Sequence, residues 1–138
     1  MRESALSFTR FSFDDAQNWH VEIFASNGSF TASSDFYCTA TALLAFSDEL
    51  LNFPSSRDAS AEFRIGSAGT SEFIHLRAYV FDNTGHAAIE TRIERRGSAP
   101  HTASANFHVR CEISAINRLG DMLRQWISAP DRPMMWHP

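Results

Sequence analysis

Apolar positions along this chain follow two periods. Two stretches carry them at helical spacing. In the first, Leu43, Phe46, Leu50 and Phe53 stand 3, 4 and 3 residues apart, with Leu44 and Leu51 widening the stripe. Thr39 or Thr41 is placed to cap this helix, and Pro54 to stop it. In the second, Ile116, Leu119, Leu123 and Trp126 repeat the same spacing, joined by Ile113, Met122 and Ile127, with Pro130 beyond. Each stripe predicts a helix with one face on a core. Gly120 interrupts the second helix at a cost of up to about 1 kcal/mol against Ala. That cost suits a close approach to a sheet.

The remaining apolar residues alternate with polar ones, the period of a half-buried strand. Trp19, Val21, Ile23 and Ala25 form one such run, and Phe30, Ala32, Ser34, Phe36 and Cys38 form its return. Asn27-Gly28 between them predicts a hairpin with a type I′ turn. Ala61, Phe63 and Ile65 suggest a short strand, and Ile74, Leu76, Ala78 and Val80 a longer one. Asp82-Asn83-Thr84-Gly85 turns the chain into Ala87, Ile89, Thr91 and Ile93. Ala103, Ala105, Phe107 and Val109 lead into the second helix. Residues 7–13 read as a first strand whose alternation slips by one position, as a bulge would make it.

An internal repeat emerges from the order of these elements. Residues 31–36 read Thr-Ala-Ser-Ser-Asp-Phe and residues 102–107 read Thr-Ala-Ser-Ala-Asn-Phe. After a two-residue insertion, Leu43 matches Ile116, Phe46 Leu119, Asp48 Asp121, Leu50 Leu123 and Phe53 Trp126. Core spacing forces the helical matches, but not the strand match. The earlier hairpins correspond loosely, His20-Val21 with His75-Leu76. The expected fold is α+β: a single antiparallel sheet of six or seven strands with two amphipathic helices on one face, arranged as strands-helix-strands-helix. Residues 1–129 form one domain, and the Pro-rich segment 130–138 a tail. Its three prolines oppose regular structure. Met134, Met135 and Trp136 are too apolar for a free tail, and suit a strap onto the body or onto a second copy, which leaves a homodimer open.

Composition narrows the functional classes. The chain has 138 residues and a net charge of −4, and all 12 of its basic residues are Arg, which suits a GC-rich bacterial genome. The length suits one domain, and the apolar content excludes a disordered chain. No apolar run approaches the roughly 20 residues that span a membrane. The acidic balance lacks the electrostatic mark of a nucleic-acid binder. The N-terminus carries no secretory h-region, so a cytoplasmic location with Cys38 and Cys111 as free thiols is expected. There is no phosphate loop, no Gly-x-Ser-x-Gly elbow and no His-Glu-x-x-His. His20, His75, His86, His101, His108 and His137 match no zinc spacing. His20, His75 and His108 nonetheless share the polar face of their strands, which keeps a small-ligand or metal-binding module as the alternative. Cys111, in phase with Phe107 and Val109, points into the core, where a thiol is inert. Glu22, Glu62, Glu90 and Glu94 with Arg64, Arg77 and Arg92 read as a solvated cross-strand ladder.

The polar sheet face remains the best functional candidate. Strand phase puts Phe24, Tyr37, Arg77, Tyr79, Phe81, Arg92 and Arg110 on it, unless a loop such as 54–60 or 97–101 covers them. Tyr and Arg without Lys is the composition of protein-binding hot spots. The candidate binding residues are Tyr37, His75, Arg77, Tyr79, Arg92, His108 and Arg110; no catalytic residue, metal or cofactor is expected.

The strand ending in Asn27-Gly28, the Leu43-x-x-Phe46-x-x-x-Leu50 helix, the Asp82-x-x-Gly85-His86 turn and the strand entering Leu119-x-x-x-Leu123 together resemble the immunity proteins of the cell-wall-associated toxin family, the WapI family. The resemblance covers about residues 19–127. It implies a bacterial protein that neutralises a partner toxin by direct binding, and brings no catalytic residues with it.

Overall fold

The computed structural model describes residues 3–11, 17–66 and 72–138. Both expected helices form: α1 over Ala40–Leu51 and α2 over Ile113–Ser128. The Thr39 hydroxyl caps α1 by accepting from the Ala42 amide at 3.1 Å. The strands are β1 (Ser4–Arg10), β2 (Trp19–Asn27), β3 (Thr31–Cys38), β4 (Ala61–Ile65), β5 (Glu72–Val80), β6 (His86–Arg95), β7 (Ala103–Glu112) and β8 (Met134–Trp136). The first strand lies earlier than residues 7–13. Its pairing with β2 runs unbroken from Ser4 with Asn27 to Arg10 with Val21, so no bulge interrupts it. Positions 12 and 13 lie outside the described residues. The β2–β3 hairpin turns with positive φ at Gly28 alone, at 92°, while the Asn27 amide donates to Phe30 O at 3.1 Å. The glycine is therefore the first central residue of the turn, a type II′ pattern rather than I′.

The architecture is α+β and antiparallel throughout, but it is not a single sheet. The strands divide into two four-stranded sheets: sheet A in the order β3-β2-β1-β8 and sheet B in the order β4-β5-β6-β7. Nor do the helices cover one face of one sheet. They pack on each other, α1 also against β4 and α2 against β8, while β2 approaches β7 and β3 approaches β6. One continuous core joins both sheets and both helices. Phe36 of sheet A meets Phe63 of sheet B at 5.7 Å between ring centroids, and Trp126 of α2 meets Phe8 and Trp19 of sheet A at 5.9 and 5.7 Å.

The element order repeats. β1-β2-β3-α1-β4 and β5-β6-β7-α2-β8 are each a three-stranded meander, a helix and a last strand. Each last strand joins the other half: β4 pairs with β5 and β8 with β1. The matched helix positions Leu43/Ile116, Phe46/Leu119, Leu50/Leu123 and Phe53/Trp126 are all buried, and Asp48/Asp121 are both exposed. Between them, Ser47 and Gly120 are equivalent, and they touch: Ser47 Oγ donates to Gly120 O at 2.9 Å. Contact between equivalent positions is what a pseudo-two-fold axis requires. Gly120 thus admits helix α1, not a sheet. The repeat also corrects the hairpin correspondence. It equates β2 with β6, so His20, which faces Tyr37, corresponds to Glu90, which faces His108, rather than to His75.

The Pro-rich segment straps onto the body. Met134 and Trp136 are buried in sheet A, and Trp136 Nε1 donates to Ala115 O at 2.8 Å.

Candidate functional site

The outer face of sheet B is built in rows that the antiparallel register sets across the strands. One row is Glu62, Arg77, Glu90, His108; its neighbour is Arg64, His75, Arg92, Asn106; on the other side runs Tyr79, Ala88, Arg110. Alternation on each strand turns these residues away from the core. The acids and bases pair as a cross-strand ladder. Arg77 Nε donates to Glu90 at 3.1 Å, His75 Nε2 lies 2.9 Å from Glu62, and Glu94 receives Arg92 at 3.2 Å and Arg96 at 2.7 Å. A pair as open to solvent as Arg77 with Glu90 contributes about 0–1 kcal/mol, whereas His75 and Glu94 are largely enclosed.

Six of the seven candidate binding residues share this face: His75, Arg77, Tyr79, Arg92, His108 and Arg110. Tyr37 does not. It lies on the outer face of sheet A, 54 % exposed, stacked on His20 at 4.4 Å. Phe24 belongs to sheet A as well. His20 therefore cannot cluster with His75 and His108. It bonds Asp35 at 2.7 Å instead, and that bond, more than the opposing desolvation, lowers the Asp35 carboxyl below its usual value, with Arg95 helping. Among the described residues no group of three His, Cys, Asp or Glu side chains is arranged to hold a metal ion.

Within sheet B the six are not equally available. His75 is buried at 7 %, tied to Glu62 and set beside Phe73. Phe73, although in outer-face phase, is itself enclosed, with Arg64 and Arg92 over its ring at 5.8 and 5.2 Å. The open patch is Arg77, Tyr79, His108 and Arg110, joined by Phe81. Arg77 stacks over Tyr79 at 4.5 Å and Arg110 over Phe81 at 5.6 Å. Tyr79 Oη and His108 Nδ1 are hydrogen-bonded at 2.6 Å. Such stacking holds long side chains in one geometry before any partner arrives. Desolvation raises the Tyr79 phenol above its ordinary pKa, against a smaller pull from Arg77, so it stays protonated. That suits hydrogen bonding and opposes nucleophilic use. The Cys38 and Cys111 thiols are both pushed up to about 12 by burial, which leaves them inert at neutral pH.

Two adjoining depressions, about 550 and 480 Å³, open beside the patch. Ser4, Asn27, Arg110 and Pro138 line both; Phe81, His86, His108, Cys111 and Glu112 complete the larger. No family model matches the chain, and no curated protein does. Among the described residues no helix is long and apolar enough to cross a membrane.

The expected Asp82–Gly85 turn borders this patch and carries a group that is not among the seven candidate residues. His86 Nδ1 lies 2.7 Å from Asp82 and its Nε2 3.5 Å from Glu112. The sign of this group was present in Asp82-x-x-Gly85-His86, where Gly85 at φ 87° folds the His back onto the Asp. The hydrogen bond that His86 donates to Asp82, then the charge of Asp82, raises the His86 pKa above 6.5. Desolvation pushes the Asp82 carboxyl up, but hydrogen bonds from Thr84 and His86 outweigh it and the net shift is downward. The His86 contribution is fully present below pH 6.5 and lost as pH rises through the higher folded value; the Asp82 contribution is present above pH 3.8 and lost as pH falls. NMR titration of the histidine ring protons is expected to give His86 a pKa above 6.5, falling when Asp82 is replaced by Asn. A His86 value at or below 6.5 contradicts the pairing.

Proposed function

We propose that this chain is a non-enzymatic protein-binding domain of the bacterial cytoplasm, of the immunity type that neutralises a partner toxin, and that it binds through the outer face of sheet B. The observation that carries the reading is the open patch of Arg77, Tyr79, His108, Arg110 and Phe81. Arginine and aromatic side chains dominate binding energy where a partner excludes water, and here stacking already orders them. The protonated phenol and the inert thiols favour binding over covalent catalysis. The resemblance to the WapI-type immunity proteins supports the toxin as partner.

Immunity proteins are encoded beside their toxins, so the product of the adjacent gene is the partner to test. Co-expression is expected to restore growth to cells making that product, and the two proteins to co-purify. The double substitution Arg77→Ala with Tyr79→Ser is expected to abolish rescue while leaving the circular dichroism spectrum unchanged, because both side chains lie on an outer face. Growth arrest that persists with the parent chain, without a complex, overturns the toxin assignment.

A further inference from the structure

We infer that Arg110 is the anchor of this interface and takes a carboxylate from an acidic side chain of the protein partner. The inference rests on the protein-binding reading above and deepens it by naming the partner's chemistry.

Arg110 differs from most arginines in and beside sheet B; Arg64, set over the enclosed Phe73 ring, is the other one on this face with no carboxylate in ion-pair range among the described residues. Arg77 has Glu90, Arg92 and Arg96 share Glu94, and Arg95 reaches Asp35. Among the described residues no carboxylate lies within ion-pair distance of Arg110. The Phe81 ring lies 5.6 Å from its guanidinium carbon. An aromatic face steadies a guanidinium without neutralising it, and leaves its donor edges free for a bidentate carboxylate.

The surroundings leave the charge available. Arg110 lines both depressions beside the patch, so it is reached from the surface. The two glutamates that line these depressions with it face histidines: Glu112 lies 3.5 Å from His86 and Glu3 lies 3.5 Å from His137. Its cross-strand neighbour on β6 is Ala88, too short to cover it. The result is a cation with no anion in ion-pair range among the described residues, set over a ring at the edge of an Arg- and Tyr-bearing patch. Charge complementarity then calls for Asp or Glu on the partner, with apolar surface beside it to meet Phe81.

A random peptide library displayed on phage, selected against the full chain, tests this. Enriched peptides are expected to share an Asp or Glu. Their affinity is expected to fall about ten- to hundredfold on Arg110→Gln and to recover in part on Arg110→Lys, which restores the charge but not the fork. Thermal unfolding of both variants is expected to match the parent, since the side chain is exposed. Enriched peptides that lack an acid, or that bind Arg110→Gln as tightly as the parent, overturn the inference. If those peptides are still lost on the Arg77→Ala, Tyr79→Ser double substitution, the protein-binding reading survives without Arg110. If the library yields no binder to the parent chain, both fall.

Discussion

Replacing Trp136 with Ala is expected to lower the unfolding free energy by about 3–5 kcal/mol. The side chain is fully buried, although it stands on a three-residue strand two positions before the last residue of the sequence. It pairs with Leu6 at the edge of sheet A, and its indole donates to Ala115 O in the first turns of α2. Truncation therefore opens a cavity where sheet and helix meet, and removes a buried hydrogen bond in addition. Because domains of this kind are stable by only about 5–15 kcal/mol, the loss is a large fraction of the whole. Met135, one position earlier on the same strand, is 46 % exposed. Met135→Ser is expected to change stability by under about 0.5 kcal/mol. Urea midpoints at constant m-value measure both. Equal effects of the two substitutions would mean that the strand does not dock as described.

Gly120→Ala is the second large effect, and two terms of opposite sign compete in it. Alanine favours the helix by about 1 kcal/mol. Against this, a methyl group at position 120 would stand 2.8 Å from Leu51 N, 2.9 Å from Leu50 Cβ and 3.0 Å from Ser47 O. Two of these are backbone atoms of α1, which no rotamer change can move, so the helices must separate along their whole contact. Overpacking of this kind costs about 1–3 kcal/mol, occasionally more, and at the middle of that range it outweighs the helical gain by about 1 kcal/mol. Gly97→Ala serves as control, since its nearest neighbour would be 4.0 Å away. Equilibrium unfolding separates the outcomes: an unchanged or raised stability for Gly120→Ala would refute the close helix crossing.

These two positions also mark what could and could not be read from residue order. Gly120 announced a close approach, because a glycine costs a helix interior something that packing must return. What approached could not be inferred, since a missing side chain suits a sheet or a helix equally. Trp136 and its neighbours announced burial by their apolarity, but prolines on either side obscured the strand. A three-residue strand needs no extended free sequence once β1 offers an unpaired edge.

The candidate site was half legible for a related reason. Alternation assigns every residue to one face of its own strand, and there it succeeded: Arg77, Tyr79, His108 and Arg110 do share a surface. It cannot say which sheet a strand belongs to. Tyr37 was grouped with them because it too faces outward, yet it occupies on sheet A the position that His108 occupies on sheet B. Burial within a face was equally hidden. His75 looked like its polar neighbours, but Glu62 and Phe73 enclose it.

Local order alone determined the two helices with a threonine cap at the first, the strands β2 to β7 with their turns at Gly28 and Gly85, and the repeat of strand and helix. All of these depend on contacts between residues close along the chain, where periodicity and backbone preference act directly. Only the tertiary structure decided that the strands form two sheets, that each half lends its last strand to the other, and that Ser47 and Gly120 meet at the axis between them. Those choices join residues far apart in sequence. Hydrophobic burial, which drives them, is indifferent to which apolar face covers which, so the shape of the whole chain has to select among pairings that each strand alone would accept.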